Sequence, residues 1–194
     1  MQNYIHKRLN MILTKEKFRE NCLEKIKSLP KHNKIYRDSL VNKKLLQELK
    51  KTKNRSILFY YPLSFEVNIL KTLMTMRRQT KVYLPFMEGQ SFKMVEFRLP
   101  LTKKRFNIFE AGNSIKKINK IDIAIVPALG VDINLQRIGF GKGMYDRFFA
   151  KLKKKPYTIF VQADICHTKE SICDSYDVSC DVLLTPKRRI LARK

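Results

Sequence analysis

The chain has 194 residues, of which 44% are hydrophobic, a length that suits one compact domain better than two. Its net charge of +24 favours anionic partners, either nucleic acid or small anionic ligands, without choosing between them. The apolar runs are far shorter than the roughly 20 residues of a membrane helix, and the amino terminus lacks a signal-peptide core. We therefore expect a single domain over residues 1–194, in the cytoplasm and away from membranes.

The first half of the chain predicts helices followed by a strand. Residues 14–29 and about 34–51 show the apolar spacing of two lysine-rich amphipathic helices, which Pro30 separates. Residues 56–61 form an apolar run of strand length that ends at Pro62. Ser64 then follows as a candidate amino-terminal cap of a third helix.

The second half predicts further strands separated by helical or loop segments. The candidate strands are residues 81–85, 94–97, 121–126, 157–161 and 181–185. This alternation favours an α/β fold, a single layered domain with a mostly parallel central sheet flanked by helices. Ligand sites in such folds gather beyond the carboxyl ends of the strands.

The cysteine pattern predicts free thiols. Cys22, Cys166, Cys173 and Cys180 include no CxxC pair, and they have no zinc-type spacing with the three histidines. We expect four free thiols in a reducing compartment and no structural metal.

A glycine-rich loop is the most informative local feature. Four of the six glycines, Gly130, Gly139, Gly141 and Gly143, lie within fourteen residues. Such a run can adopt positive φ and turn backbone N–H groups toward an anion. It precedes a helical stripe of Tyr145, Phe148, Phe149 and Leu152. It also carries Arg137 and Lys142, which favour a phosphate site. The alternative is a tight loop between a strand and a helix that binds no ligand.

The residues around this loop resemble the signature of the 5-formyltetrahydrofolate cyclo-ligase family. The matching residues are Val126-Pro127, Asp132 and Arg137-Ile-Gly-Phe-Gly-Lys-Gly-Met-Tyr-Asp-Arg-Phe148. The chain departs from the family pattern at Met144, where a tyrosine is usual, so a thioether replaces a ring at that position.

Weaker matches extend this resemblance over nearly the full chain. In chain order they are Lys15-x-x-Phe18-Arg19, Tyr60 through Val67, Phe106-Asn-Ile-Phe-Glu110 (with Ala111 in place of proline), Tyr176-Asp177, and Asp181-Val-Leu-Leu-Thr185. The order of the segments matches the order in the family.

The resemblance implies a reaction and a set of site residues. The reaction converts 5-formyltetrahydrofolate, possibly polyglutamylated, to 5,10-methenyltetrahydrofolate with ATP and Mg²⁺, in a monomer that binds no nucleic acid. Arg137 and Lys142 are the implied catalytic residues. The implied ATP-binding residues are Lys15, Arg19, Arg137, Gly139, Gly141, Lys142, Gly143 and Tyr145. Those implied for the folate are Tyr61, Glu66, Phe140, Gly141, Lys142, Gly143 and Met144. Asp146 and Asp177 are the implied metal ligands, with Asp181 as the alternative to Asp177.

Several of these residues also have a purely structural interpretation. Lys15 and Arg19 fit a solvated helix face, and Glu66 and Asp146 fit acids that stabilise a helix start. Tyr61 and Tyr145 fit an apolar core, and Asp177 fits a turn.

For the whole chain, the charge alone supports a basic nucleic-acid-binding protein. The fold class alone also permits a sugar-phosphate isomerase or an acyl-CoA transferase.

Overall fold

The computed structural model describes residues 13–50, 55–103, 109–110, 112, 118 and 120–192. The helices are α1 Lys15–Ser28, α2 Lys34–Leu49, α3 Leu70–Arg77 and α4 Met144–Phe149, with a 3-10 turn at Lys31–Asn33. The strands are β1 Ile57–Leu58, β2 Val82–Glu88, β3 Ser91–Glu96, β4 Thr102–Lys103, β5 Phe109–Glu110, β6 Ile123–Pro127, β7 Gly130–Val131, β8 Arg137–Ile138, β9 Tyr157–Val161, β10 Val182–Leu184 and β11 Arg189–Leu191. None of the helices in the described part of the chain has the length and apolarity to cross a membrane.

A seven-stranded sheet forms the centre of the fold. Its strand order is β11-β10-β9-β6-β1-β2-β3. The five inner strands are parallel to one another, and only the edge strands β11 and β3 are antiparallel to their neighbours. The predicted α/β class with a mostly parallel sheet is therefore confirmed.

The chain reverses its direction of winding beside β1. It passes from β1 through α3 to β2 on one side, and β6, β9 and β10 then extend the sheet on the other side. The segments that follow β1 and β6 therefore run to opposite sides, and a crevice opens between the carboxyl ends of these two strands. Such a crevice is the usual place for a ligand in an open α/β sheet.

The sheet is buried on both faces, which explains why its strands show nearly continuous apolar runs. One face carries Ile57, Phe59 and Ile125 and is covered by α2 and α3. The other face carries Leu58, Phe92 and Val126 and packs against Phe148 of α4. Successive strand residues point to opposite faces, so each strand contributes to both apolar clusters.

The first two helices agree with the prediction to within two residues. The Thr14 side chain accepts the Lys17 N–H at 3.2 Å and caps α1, which ends before Pro30. Helix α2 buries Val41, Leu45 and Leu49 along one stripe.

Two local predictions after α2 are wrong. The strand expected over residues 56–61 pairs only at Ile57–Leu58, and Ser64 does not cap a helix because residues 64–66 form a turn. Helix α3 begins only at Leu70, whose N–H is accepted by the Asn68 side chain at 3.1 Å. Residues 59–69 are therefore a loop that crosses the carboxyl edge of the sheet.

The expectation of four free thiols is also wrong. Cys22 on α1 and Cys166 after β9 form a disulfide whose Cα atoms are 5.8 Å apart, a normal separation for this bond. The two cysteines are 144 residues apart in sequence, so no local pattern could reveal their pairing. Cys173 and Cys180 remain free thiols.

Candidate functional site

A cavity of about 670 Å³ lies at the crevice between the carboxyl ends of β1 and β6. Tyr60 and Tyr61 follow β1 into the cavity wall, and Pro127 contributes the end of β6. The glycine loop and the start of α4 close one side, and the β2–β3 hairpin closes another. The site therefore lies where the winding of the sheet predicts it.

The cavity brings together residues that the sequence placed in three separate groups. The predicted site residues that line it are Tyr61, Glu66, Arg137, Phe140, Lys142, Gly143, Met144 and Tyr145. These residues come from the loop after β1, from β8, from the loop leading into α4 and from the first turn of α4. Of the predicted folate-binding set, only Gly141 is not part of the wall.

Glu66 places a carboxylate in the cavity wall. One carboxylate oxygen accepts the Leu63 N–H at 2.9 Å, which closes the turn after Pro62. Burial raises the pKa of Glu66 to about 7, against the opposing effects of the Leu63 N–H and the charges of Arg137 and Lys34. The side chain thus changes between acid and carboxylate near neutral pH, and the carboxylate can accept hydrogen bonds from ligand N–H groups.

Arg137 is a buried cation in the cavity wall. Its Nε donates to the Pro127 carbonyl at 2.9 Å, and its guanidinium lies 4.8 Å from the centre of the Tyr145 ring. Burial lowers its pKa, while the charges of Asp146, Glu66 and Asp177 oppose this effect. An arginine remains protonated even so, and Arg137 therefore provides a fixed positive charge between the cavity and the two aspartates.

The glycine loop owes its shape to the absence of side chains at particular positions. Gly141 and Gly143 have φ of +89° and +56°, values that other residues adopt only with strain. A Cβ on Gly139 would collide with the Arg137 guanidinium, so a side chain there would force the guanidinium out of its observed position. Gly130 serves a different purpose, because a Cβ there would lie 2.8 Å from the Phe18 ring of α1.

Helix α4 is shorter than the sequence predicted. The stripe through Leu152 indicated a longer helix, but α4 contains only the six residues Met144–Phe149. Phe148 packs into the core beside Phe92, with the two rings stacked at 4.3 Å. A helix of this length contributes a small dipole, so cationic side chains supply most of the positive potential at the loop.

Helix α1 brings the predicted phosphate-binding cations to the outer side of the glycine loop. Arg19 Nε donates to the Gly139 carbonyl at 3.0 Å. Lys15 Nζ forms ion pairs with Asp177 and, at 3.1 Å, with Asp174. Burial opposes the charge of Lys15, but the hydrogen bonds with Asp177 and Asp174 outweigh it and raise its pKa.

The two predicted metal ligands are neighbours in the fold. Asp146 Oδ1 accepts the Val178 N–H at 3.2 Å, which brings Asp146 next to the residue that follows Asp177. Asp181, the alternative, accepts the Thr158 N–H at 2.7 Å at the amino ends of β9 and β10, on the opposite edge of the sheet from the glycine loop. The geometry favours Asp177 over Asp181.

This pair of carboxylates fits a magnesium ion that also binds phosphate. No group of three or more metal-ligating side chains occurs among the described residues, so a closed protein cage is absent from them. Mg²⁺ typically takes only one or two carboxylates and completes its shell with phosphate oxygens and water. Asp177 is paired with Lys15, and a metal there requires that Lys15 turn toward another anion.

Several wall residues were not predicted. Phe65 precedes Glu66, and the β2–β3 hairpin contributes Met87, Gln90 and Phe92. Arg147 fixes this hairpin to the glycine loop, since its guanidinium donates to the Gln90 and Lys142 carbonyls. Gly89, with φ of +59°, marks the hairpin turn, but nothing in the sequence indicates what the hairpin packs against.

Comparison with known proteins gives a consistent result. The family model described as "5-formyltetrahydrofolate cyclo-ligase family" matches residues 12–186. A 5-formyltetrahydrofolate cyclo-ligase of Mycoplasma genitalium is 26% identical over 176 residues, covering 89% of this chain and 98% of its own. The corresponding protein of Mycoplasma pneumoniae is 24% identical over 173 residues, with the same coverage of both chains. The solved structure of Aquifex aeolicus 5,10-methenyltetrahydrofolate synthetase is 26% identical, covers 94% of each chain and has a TM-score of 0.77.

One matched segment cannot be placed in the fold. The motif Phe106-Asn-Ile-Phe-Glu110 with Ala111 lies largely outside the described residues, which include only its last two positions as β5.

Proposed function

Since the chain belongs to the 5-formyltetrahydrofolate cyclo-ligase family, we propose that it converts 5-formyltetrahydrofolate and Mg-ATP to 5,10-methenyltetrahydrofolate, ADP and phosphate. Membership makes the chain a ligase of folate metabolism. The observation that carries the proposal is the cavity, where an acidic and aromatic wall meets a glycine loop with Arg137 and Lys142.

The chemistry explains why the cavity needs both the acidic and aromatic wall and the cationic glycine loop. The N5-formyl carbon is a weak electrophile and its oxygen is a poor leaving group, as in any amide. Transfer of the γ-phosphoryl group of ATP to that oxygen makes it part of a phosphate leaving group. N10 then bonds to the formyl carbon and loses its proton, and the C–O bond breaks as phosphate departs with the electron pair. The product is the methenyl bridge.

The glycine loop is suited to the phosphoryl transfer. Such a step requires that positive charge and N–H donors be fixed around the moving group. Arg137 and Lys142 lie in the cavity wall and would contact that group directly. Lys15 and Arg19, on the outer side of the loop, would bind the remaining phosphates of ATP together with the N–H groups of Gly139, Gly141 and Gly143.

The opposite wall is suited to the folate. Glu66 would accept hydrogen bonds from the pterin N–H groups, and Tyr61, Phe140 and Met144 would contact the pterin and its substituents. Tyr145, predicted from the family as an ATP contact, lines the same cavity beneath Arg137. We propose a monomer as the active form, as the family resemblance implies.

Magnesium would be held by Asp146 and Asp177. When bound there, the ion would neutralise phosphate charge and prevent repulsion between the carboxylates and ATP. Lys15 would then leave Asp177 for a phosphate oxygen, because both are anionic partners within reach of the same flexible side chain.

An omission assay tests the proposal. Purified protein is incubated with 5-formyltetrahydrofolate, ATP and Mg²⁺, and the absorbance of the methenyl product is followed while each component is omitted in turn. We expect product only in the complete mixture. Product formation without ATP, or no product in the complete mixture, would refute the proposed function.

A further inference from the structure

Two partly exposed phenylalanines lie in contact with each other where the cavity wall meets solvent. Phe65 comes from the loop after β1, and Phe140 comes from the glycine loop. Their ring centres are 4.8 Å apart with the planes tilted by 57°. Phe65 is 40% exposed and Phe140 is 36% exposed, so neither ring is enclosed by the protein.

Exposed rings of this size at a cavity mouth are more consistent with a ligand contact than with packing. Aromatic side chains gain most of their stabilisation from burial, and a folded chain seldom leaves two together at the surface without a partner. The tilted arrangement leaves ring surface available, and a flat ligand group that enters the mouth would cover it.

The shape of the proposed substrate identifies that flat group. The folate consists of a pterin, an aminobenzoyl ring and one or more glutamates. The pterin is the part that Glu66 can bind inside the cavity, and the charged glutamates must remain in water. The aminobenzoyl ring joins the two and therefore crosses the mouth, where Phe65 and Phe140 lie.

We propose that Phe65 is a specificity-determining residue that binds the aminobenzoyl ring of the folate against Phe140. This inference rests on the proposed function and adds a residue to it. It separates the two loops by role, because the loop after β1 then contacts the folate along its length, whereas the glycine loop contacts both substrates. Loss of Phe65 is expected to weaken binding of ligands that contain the aminobenzoyl ring and to leave ligands without it unaffected.

Two ligands that cannot form the methenyl bridge distinguish this role from a structural one. The first is 5-methyltetrahydrofolate, which has the aminobenzoyl ring but no formyl oxygen. The second is 5-formyl-6-methyltetrahydropterin, which has the pterin but no aminobenzoyl ring and no N10. Their inhibition constants are measured against 5-formyltetrahydrofolate for the unmodified protein, Phe65→Ala, Phe65→Tyr and the control Tyr36→Ala. Tyr36 is an exposed aromatic on α2 that does not line the cavity.

We expect Phe65→Ala to raise the inhibition constant of 5-methyltetrahydrofolate about tenfold, the effect of losing one aromatic contact and its buried area. The inhibition constant of 5-formyl-6-methyltetrahydropterin and the KM for ATP should not change in this variant. Phe65→Tyr and Tyr36→Ala should have the same constants as the unmodified protein. Equal weakening of both ligands, no weakening of either, or a raised KM for ATP would overturn the inference, the last because it would show that Phe65 only supports the glycine loop. If the unmodified protein shows no turnover of 5-formyltetrahydrofolate, the proposed function itself fails.

Discussion

Glu66 is the residue whose ionisation matters most near neutral pH. Its pKa of about 7, raised by burial, means that the side chain is partly protonated in the unliganded protein. A pterin offers N–H donors, so it binds the carboxylate and not the acid. Folate affinity should therefore increase as pH rises through about 7, because deprotonation no longer has to accompany binding.

Glu66→Gln tests this dependence. The amide is neutral at all pH values, so the dissociation constant of the folate should be higher and should no longer fall between pH 6 and pH 8. The KM for ATP should be nearly unaffected. An unaltered pH profile in the variant would show that another group titrates.

The same pKa affects stability. A carboxyl whose folded pKa lies above its unfolded value of 4.5 favours folding most at pH below 4.5, and this contribution is lost as pH rises through about 7. In thermal melts, the Tm of Glu66→Gln minus the Tm of the unmodified protein should therefore increase between pH 4.5 and about pH 7 and should then stay constant.

Lys142 is an exposed residue of the glycine loop, so its removal should affect catalysis more than folding. If its ammonium group contacts the transferred phosphoryl group, Lys142→Ala should lower kcat by about 10² to 10³, as loss of one transition-state contact does. Lys151→Ala, an exposed lysine just after α4, is the matched control and should retain full turnover. A normal kcat in Lys142→Ala would place this side chain outside the reaction.

At the scale of elements, α1 is held by a covalent bond as well as by packing. The Cys22–Cys166 disulfide joins α1 to the segment after β9, and Arg19 on the same helix contacts the glycine loop. A cross-link between residues so distant in sequence restricts the unfolded chain, an effect of about 2–4 kcal/mol.

Reduction should therefore lower the Tm of the unmodified protein by several degrees. The double variant Cys22→Ala/Cys166→Ala should melt at the lower temperature and should not respond to a dithiol reductant. If the unmodified protein does not respond to reductant either, these two cysteines are not bonded in solution.

The segment 174–178 and α4 together form the proposed metal site. Asp146→Asn and Asp177→Asn should each raise the Mg²⁺ concentration for half-maximal activity, because each replaces a charged oxygen ligand with a neutral one. Asp181→Asn is the control, since Asp181 lies at the opposite edge of the sheet. A higher Mg²⁺ requirement in the Asp181→Asn control alone would place the metal at Asp181, at the other edge of the sheet.

The elements that the sequence predicted best are those whose pattern is local. Strand β9 was predicted at its observed bounds because its apolar run is uninterrupted. The turn at residues 64–66 was mistaken for a helix start, because Ser64 and the apolar spacing after it resemble a capped helix. What decides the conformation is the Glu66 side chain, which binds back to the Leu63 N–H, and a sequence pattern does not indicate that choice.

At the scale of the whole molecule, the site follows from the winding of the sheet. Alternating strands and helices predicted a parallel sheet and a site at its carboxyl edge, but the strand order that fixes the crevice beside β1 depends on long-range pairing. The family signature placed Arg137, Lys142 and Met144 in the site, and the fold adds the unpredicted hairpin wall around Phe92. Net charge, the most conspicuous property of the composition, determined none of these features.

The central claim is that this one cavity directs the γ-phosphoryl group of ATP to the formyl oxygen of the folate. Single-turnover reaction of 5-formyltetrahydrofolate labelled with ¹⁸O in the formyl group tests it most directly, with the released phosphate analysed by mass spectrometry. Phosphorylation of the formyl oxygen should leave one ¹⁸O atom in the phosphate for each methenyl product formed. Unlabelled phosphate alongside the same product would contradict it, since the oxygen would then have left the folate without being phosphorylated.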